Sequence, residues 1–140
     1  MQIWHQAPDR DAIREELATG AAGHMGIEFC DIGDDYLLLG MQVRETALQP
    51  YGILHGGVSC LLAETVGSHA SGLCLDLEKH YCVGLEINAN HIRAVSSGWV
   101  YGKARPLHLG RSTHVWDIRI SDEQDRTVCV SRLTMLIKSR

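Results

Sequence analysis

The sequence predicts an α+β fold in which a curved antiparallel sheet wraps around one long central helix, with a short helix ahead of it. Two observations carry this expectation. A helix-length stretch of apolar and small residues, from Gly57 to about Asp76, is flanked on both sides by strand-like runs. The four runs after Tyr81 are rich in β-branched and aromatic residues, and the turns between them are too short for helical crossovers, so neighbours are expected to pair antiparallel.

With 140 residues, 45% hydrophobic and 21% charged, the chain has the size and balance of one soluble globular domain spanning residues 1–140. The net charge of -4 and the pI of about 6.0 exclude the clustered basic surface needed for nucleic acid or an acidic membrane as main partner. Five cysteines, odd in number and scattered through apolar runs, read as reduced thiols and point to the cytoplasm. The acidic first 20 residues lack the pattern of a signal peptide, and no apolar stretch approaches the length of a membrane span.

In order along the chain, Pro8 and Asp9 open an amphipathic helix with Ile13 and Leu17 at helical spacing, ended by Gly20. After the glycine-rich 21–26 segment, the runs 26–32 and 36–43 flank Gly33-Asp34-Asp35 and read as a hairpin. A loop from Arg44 to Leu54, with Pro50 and Gly52, leads to the long helix. At 100° per residue, Val58, Leu61, Leu62, Thr65, Val66, His69 and Leu73 form one broad face of that helix. Gly57, Cys60, Glu64, Gly67, Ser68 and Ser71 form the other, a small-residue surface that lets a protein segment or a ligand approach the backbone. The expected turns of the final four strands are 96–98, 106–111 and 121–126, and the sheet is expected to bury the helix nearly all round.

The chemistry-bearing residues cluster between Gln49 and Ser71. His55-Gly56-Gly57 stands at the helix start, where amides lack intrahelical partners and the helix dipole is positive. An amide there can stabilise the oxyanion formed when an acyl carbonyl is attacked; a glycine-rich turn without a ligand is the competing reading. Glu64, the one formal charge between Glu45 and Asp76, is either a base or nucleophile or a structural acid paired with Arg93 or Arg132. Gly57 precedes it by two helical turns, about 10 Å along the axis, which is far for one carbonyl to touch both.

Ser68, one turn beyond Glu64, either bonds the carboxylate or an attacking water, or is an ordinary backbone-bonded serine. Gln49 and His55 can donate to a carbonyl, and His91 either orients a ligand or fills the surface. Lys103, Arg105 and Arg111 bracket a turn, as a phosphate site or a solvated hairpin tip. No nucleophile elbow, Walker loop, dinucleotide glycine motif or paired Cys or His metal motif is present, which leaves chemistry without a metal or cofactor.

Taken together, Gln49-Pro50-Tyr51-Gly52, Leu54-His55-Gly56-Gly57, Ala63-Glu64, the 83–91 run, the 106–110 run and Ser131-Arg132-Leu133-Thr134 resemble the hotdog-fold acyl-CoA thioesterases of the phenylacetate-type branch. The likeness is strongest to the 1,4-dihydroxy-2-naphthoyl-CoA hydrolases of menaquinone synthesis and the enterobactin proofreading thioesterases, and covers nearly the whole chain. The resemblance implies that Glu64 is the nucleophile or the base for water and that the Gly56 amide polarises the thioester carbonyl, with Gln49 and His55 assisting and Ser68 positioning water or the acid. It implies that Gly84, the segment His91, Ile92, Arg93, Ala94 and the turn His108, Leu109, Gly110, Arg111, Ser112, Thr113 line the coenzyme A site. It further implies a homodimer, usually paired into a tetramer, with each active site built across two subunits. The substrate would be an aromatic acyl-CoA or an aryl group on an acyl carrier protein. A non-catalytic acyl-CoA sensor is the rival of another class, and a hydratase of the same fold is weaker still.

Overall fold

The computed structural model describes residues 1–140. Helix α1 (Arg10–Leu17) begins as expected: the Asp9 carboxylate accepts from the Asp11 and Ala12 amides at 3.0 and 3.1 Å, and Ile13 and Leu17 are buried. The glycine-rich segment that follows begins with a second short helix, α2 (Gly20–His24). Strands β1 (Ile27–Ile32) and β2 (Leu37–Gln42) form the expected hairpin, closed by the Gly33 amide on the Tyr36 carbonyl at 3.0 Å.

Helix α3 (Gly56–Leu73) is capped by His55, and strands β3 (His80–His91), β4 (Trp99–Leu109), β5 (Thr113–Asp122) and β6 (Thr127–Ser139) complete one six-stranded antiparallel sheet. Its order is β1-β2-β4-β5-β6-β3, so the expected pairing of β3 with β4 does not occur. The link between them runs from Ile92 to Gly98 rather than over three residues. It crosses the end of the sheet, held by Leu54 N on Val95 O at 2.7 Å and Val43 N on Gly98 O at 2.7 Å. That crossing delivers β4 to β2 and leaves β3 to pair with β6 at the edge.

The side of the helix turned to the sheet lies roughly a quarter turn from the broad face that carries Leu61, Thr65 and His69. Its buried side carries Ser59, Leu62, Ala63, Val66, Gly67, Ala70 and Ser71, while Leu61, Thr65 and His69 are only half-buried. Small residues face the sheet because they let the helix lie close to it: a Cβ on Gly67 would stand 2.5 Å from Leu133 Cδ2 and 3.1 Å from Ile118 Cδ1. Around them, Leu37, Leu39, Met41, Val100, Ala104, Trp116, Ile118, Ile120, Leu133 and Met135 fill the concave face at alternate strand positions.

The helix is therefore not enclosed all round. One side is open beside β3, the twelve-residue edge strand, whose Val83 and Leu85 are 43% and 60% exposed. No helix is long and apolar enough to cross a membrane.

Candidate active site

Strand β3 runs antiparallel to α3, and three contacts align the two. Cys82 lies beside the Ser68 carbonyl at 4.0 Å, Glu64 Oε1 presses against the backbone of Gly84, and the His91 ring lies over Gly56, its Nε2 2.8 Å from where a Cβ would be. Residues that are distant in sequence thus line a single groove. A side chain on Gly84 would collide with the Glu64 carboxylate, and one on Gly56 would push the His91 ring aside.

At the upper end of the groove, His55 has an extended backbone (φ -63°, ψ 130°), and its Nδ1 accepts from the Gly57 amide at 2.8 Å. The amides of Val58 and Ser59 reach the His55 carbonyl at 3.0 and 3.1 Å. Only the Gly56 amide in this first turn is left without a partner, pointing from the positive end of an 18-residue helix. Gln49 lies just before it, half-buried, with its side-chain oxygen already accepting from the Tyr51 amide. This leaves its NH₂ group as the available donor.

Glu64 is half-buried, and none of the ion pairs in the chain includes it; neither Arg93 nor Arg132 meets it. The reading as a paired structural acid is thereby removed. Ser68 does not bond Glu64 either: its hydroxyl points to Met135 Sδ at 3.6 Å.

The remaining expected residues fall into two places. His91, Ile92, Arg93 and Ala94 lie at the Gly56 end of β3, all exposed. The tip from His108 to Thr113 lies at the opposite end: Thr113 is in register with Leu136 and through it with Val83, whereas His91 is in register with Cys129. A single chain does not bring these two segments together. The tip is closed by Gly110 N on Thr113 O at 2.9 Å and braced by Ile137 N on Ser112 O at 2.8 Å.

The expected basic cluster is likewise divided. Arg105 binds Asp35 at 2.7 Å and lies over the Tyr36 ring, as does Lys103, so of the three only Arg111, exposed at the tip, is without a charged or aromatic partner. All five cysteines are free, and burial pushes the Cys74 thiol up to about 12 and the Cys129 thiol up to about 11, which keeps both inert. No cluster of three or more His, Cys, Asp or Glu side chains is arranged to hold a metal ion.

Past Glu64 the groove opens into a cleft of about 780 Å³ between the N-terminal segment, α1, the second half of α3 and the start of β3. Ser68, His69 and Gly84 line it from α3 and β3, and Asp9, Ile13 and Glu16 from α1 and the residue before it, as one wall. Sequence reasoning missed this wall. The contact that builds it, His69 Nε2 to Glu16 Oε2 at 3.5 Å, joins two helices and leaves no local pattern to read.

Comparison with known proteins gives a consistent result. The family model described as "Thioesterase superfamily" matches residues 51–129. The chain is 45% identical over 135 residues to the 1,4-dihydroxy-2-naphthoyl-CoA hydrolase of Escherichia coli, covering 96% of this chain and 98% of that protein. It is 44% identical over 135 residues to the proofreading thioesterase EntH of Cronobacter turicensis, with the same coverage of 96% and 98%. The crystal structure of the Q49A mutant of thioesterase PA1618 from Pseudomonas aeruginosa superposes with a TM-score of 0.97 at 44% identity, covering 99% of this chain and all (100%) of that one.

Proposed function

The chain belongs to the thioesterase superfamily and has its hotdog fold, and from that premise we propose that it hydrolyses an aromatic acyl-CoA, with 1,4-dihydroxy-2-naphthoyl-CoA as the leading substrate. The observation that carries the reading is the pair of unpartnered groups on α3: a free Gly56 amide at its N-terminus and a Glu64 carboxylate without a cation. Hydrolysis of a thioester needs one group to hold the developing oxyanion and one to activate the attacking oxygen. The Gly56 amide serves the first need and Glu64 the second, either by taking the proton from water or by adding to the carbonyl carbon before water releases the acid. In both routes the C–S bond breaks, the thiolate leaves as the coenzyme A thiol, and the acyl group leaves as the free acid. Gln49 and His55 donate towards the carbonyl from one side, and Ser68 turns its hydroxyl towards water when substrate is bound.

Gly56 and Glu64 of one chain are eight residues apart, about 12 Å along the axis, too far to meet one carbonyl. The bare edge of β3 supplies the remedy. If two copies pair there antiparallel about an axis near Ile87, Gly84 comes opposite the neighbour's His91, because Gly84 and His91 lie about equally far on either side of it. Glu64 then faces Gly56 of the partner subunit. The same pairing brings the 108–113 tip of one chain towards the 91–94 segment of the other, and the coenzyme A moiety lies between them with Arg111 near its phosphates. The acyl group runs past Ser68 into the cleft of the chain that supplies Glu64. The protein acts as one thioesterase domain over residues 1–140, as a dimer or a dimer of dimers in the cytoplasm, where its five free thiols stay reduced.

A thiol-release assay across aryl-CoA and alkyl-CoA esters tests this reading, with 1,4-dihydroxy-2-naphthoyl-CoA expected to show the highest kcat/KM. Faster release from an aryl group carried on a phosphopantetheine carrier protein would move the assignment to proofreading. Coenzyme A ester binding without release would make the protein a sensor.

A further inference from the structure

The bare edge of β3 carries a polar row that the hydrolytic step does not use. Glu86, Asn88 and Asn90 alternate on the outer face of the strand, all exposed, while Ile87 and Ala89 between them pack towards the core. Asn88 Nδ2 donates to the two oxygens of Glu86 at 3.1 and 3.0 Å. A carboxylate only accepts, so this contact fixes which way the amide is turned. The other N–H and the Oδ1 of Asn88 make no further side-chain bond in the chain.

The main-chain groups of the strand divide as well. The Ser131 hydroxyl donates to the Asn88 carbonyl at 2.8 Å and the Ile92 amide to Val128 O at 2.7 Å, so the even-numbered residues turn their main-chain groups to β6. Ile87, Ala89 and His91 therefore turn theirs to the free edge, and a strand added there meets Asn88 at a position without main-chain bonds, where facing side chains lie closest. A bulge fixes the centre of such a pairing. Gly84 is in register with Met135 and Glu86 with Thr134, so Leu85 is the extra residue, and Gly84 faces the helix although Glu86 faces outward. Along β6, Gly84 at Met135 and His91 at Cys129 stand equally far on either side of Asn88 at Arg132. A twofold axis through Asn88, next to Ile87, thus sets Gly84 against the partner's His91.

We propose that Glu86, Asn88 and Asn90 form a register lock between two copies of this chain, with Asn88 on the twofold axis. The inference rests on the two-chain site proposed above and adds the residues that set its register. Each Asn88 amide gives its free N–H to the Oδ1 of the other, a reciprocal pair that a twofold contact allows. Glu86 lies opposite the partner's Asn90 and accepts from its amide. A slip of two residues one way sets Asn90 against the partner's Val83, and the other way sets Glu86 against the partner's Ile92, in each case a polar group against an exposed aliphatic one. Either slip also shifts each Gly56 amide from the facing Glu64 by about 7 Å, too far for one carbonyl. The three residues are positioning residues: they act through the register and not on the substrate.

Cysteine cross-linking reads the register without any activity, and the three side chains are exposed, so replacing them leaves the core untouched. With diamide as oxidant, Asn88→Cys is expected to give a disulfide-linked dimer about tenfold faster than wild type, because a residue on the axis meets its own copy. The Glu86–Asn90 pairs keep the register in that variant. Glu86→Cys and Asn90→Cys should link to each other when the two proteins are mixed under subunit exchange, and neither to itself. Linking of Asn88→Cys with Glu86→Cys or with Asn90→Cys in place of these would put a neighbouring residue on the axis and overturn the inference, as would no linking at all.

Charge exchange reads the effect on the site. Asn90→Asp opposes the partner's Glu86 with a like charge and should lower kcat about tenfold with a smaller change in KM. Adding Glu86→Gln restores donor against acceptor in the reverse order and should return most of the loss. Within one chain residues 86 and 90 stand about 13 Å apart, so the rescue runs across the seam, and its absence would overturn the lock. Wild type that hydrolyses no ester would instead strike the thioesterase reading, and the cross-linking pattern would still decide the register.

Discussion

Helix α3 has two sides that obey opposite rules. On the side against the sheet every polar group is satisfied: the Ser71 hydroxyl accepts from Trp116 Nε1 at 2.7 Å and meets His114 Nδ1 at 3.2 Å, and no buried side-chain polar atom anywhere in the chain lacks a partner. On the stripe beside β3, the Gly56 amide and the Glu64 carboxylate are left without partners, next to a strand edge that pairs with nothing. Satisfied polar groups specify a fold, while unsatisfied ones at an open edge are available to a ligand and a second copy. The difference predicts a clean separation: changes on the stripe should alter rate, and changes on the packed side should alter stability.

The largest effect is expected from the stripe. Glu64→Ala should lower kcat by about 10³-fold or more with ester binding kept, measured by thiol release and by calorimetric titration with a ketone analogue. Gly56→Pro should cost about 10²- to 10³-fold, because proline is well accepted at the first helical position and deletes the amide hydrogen; its added carbons also push aside the exposed His91 ring, so His91→Ala is the control for that displacement. His55 already has the extended backbone that proline demands of its neighbour, so thermal stability should barely move. Unfolding of either variant would erase the distinction between the two sides.

Next comes the strand edge. Lysine on an edge strand discourages pairing, so Leu85→Lys should yield a folded monomer by sedimentation, with thiol release reduced about tenfold or more. Full activity in a monomer would place the whole site within one chain.

The packed side should respond in stability alone. Gly67→Ala drives a methyl into Leu133 and should cost about 1–3 kcal/mol, even after the gain in helix propensity. Gly72→Ala, on the face turned away from the sheet and with nothing within 4 Å of the added carbon, should by contrast stabilise by up to about 1 kcal/mol. Urea titration reads both, and equal outcomes would contradict the rotation assigned to the helix.

The smallest effect concerns His114, 3% exposed, whose pKa burial lowers below the usual 6.5, with a further contribution from His108. Unfolding releases the ring to bind a proton at its ordinary value. The unfolded state therefore gains protons first as pH falls from 6.5, and stability should decline from there downwards. His114→Gln should flatten that decline.

These two sides of α3 were unequally visible in the sequence. Gly56 and Glu64 were legible because each breaks a local rule, a glycine pair opening a helix and one acid in an apolar run. Helix α1 was legible through its Asp9 cap, and the first hairpin through Gly33 and two aspartates. Which face of the helix meets the sheet was not legible, because hydrophobicity marks residues such as Leu61 and Leu73, whereas close helix-to-sheet contact favours small residues such as Gly67 and Ser71. The separation of β3 from β4 depends on hydrogen bonds from Leu54 and Val43 to the crossing segment, contacts that have no signature within either strand. The His69–Glu16 pair was invisible for the same reason.

The central claim is that each active site draws Gly56 from one subunit and Glu64 from its partner. Glu64→Ala and Gly56→Pro homodimers, each inactive, test it when mixed under conditions that exchange subunits. Random reassortment makes about half of the dimers mixed, and one of the two sites in each mixed dimer regains both intact groups, so about a quarter of the wild-type activity should return. Mixed dimers visible by native mass spectrometry but silent in the thiol-release assay would contradict the claim.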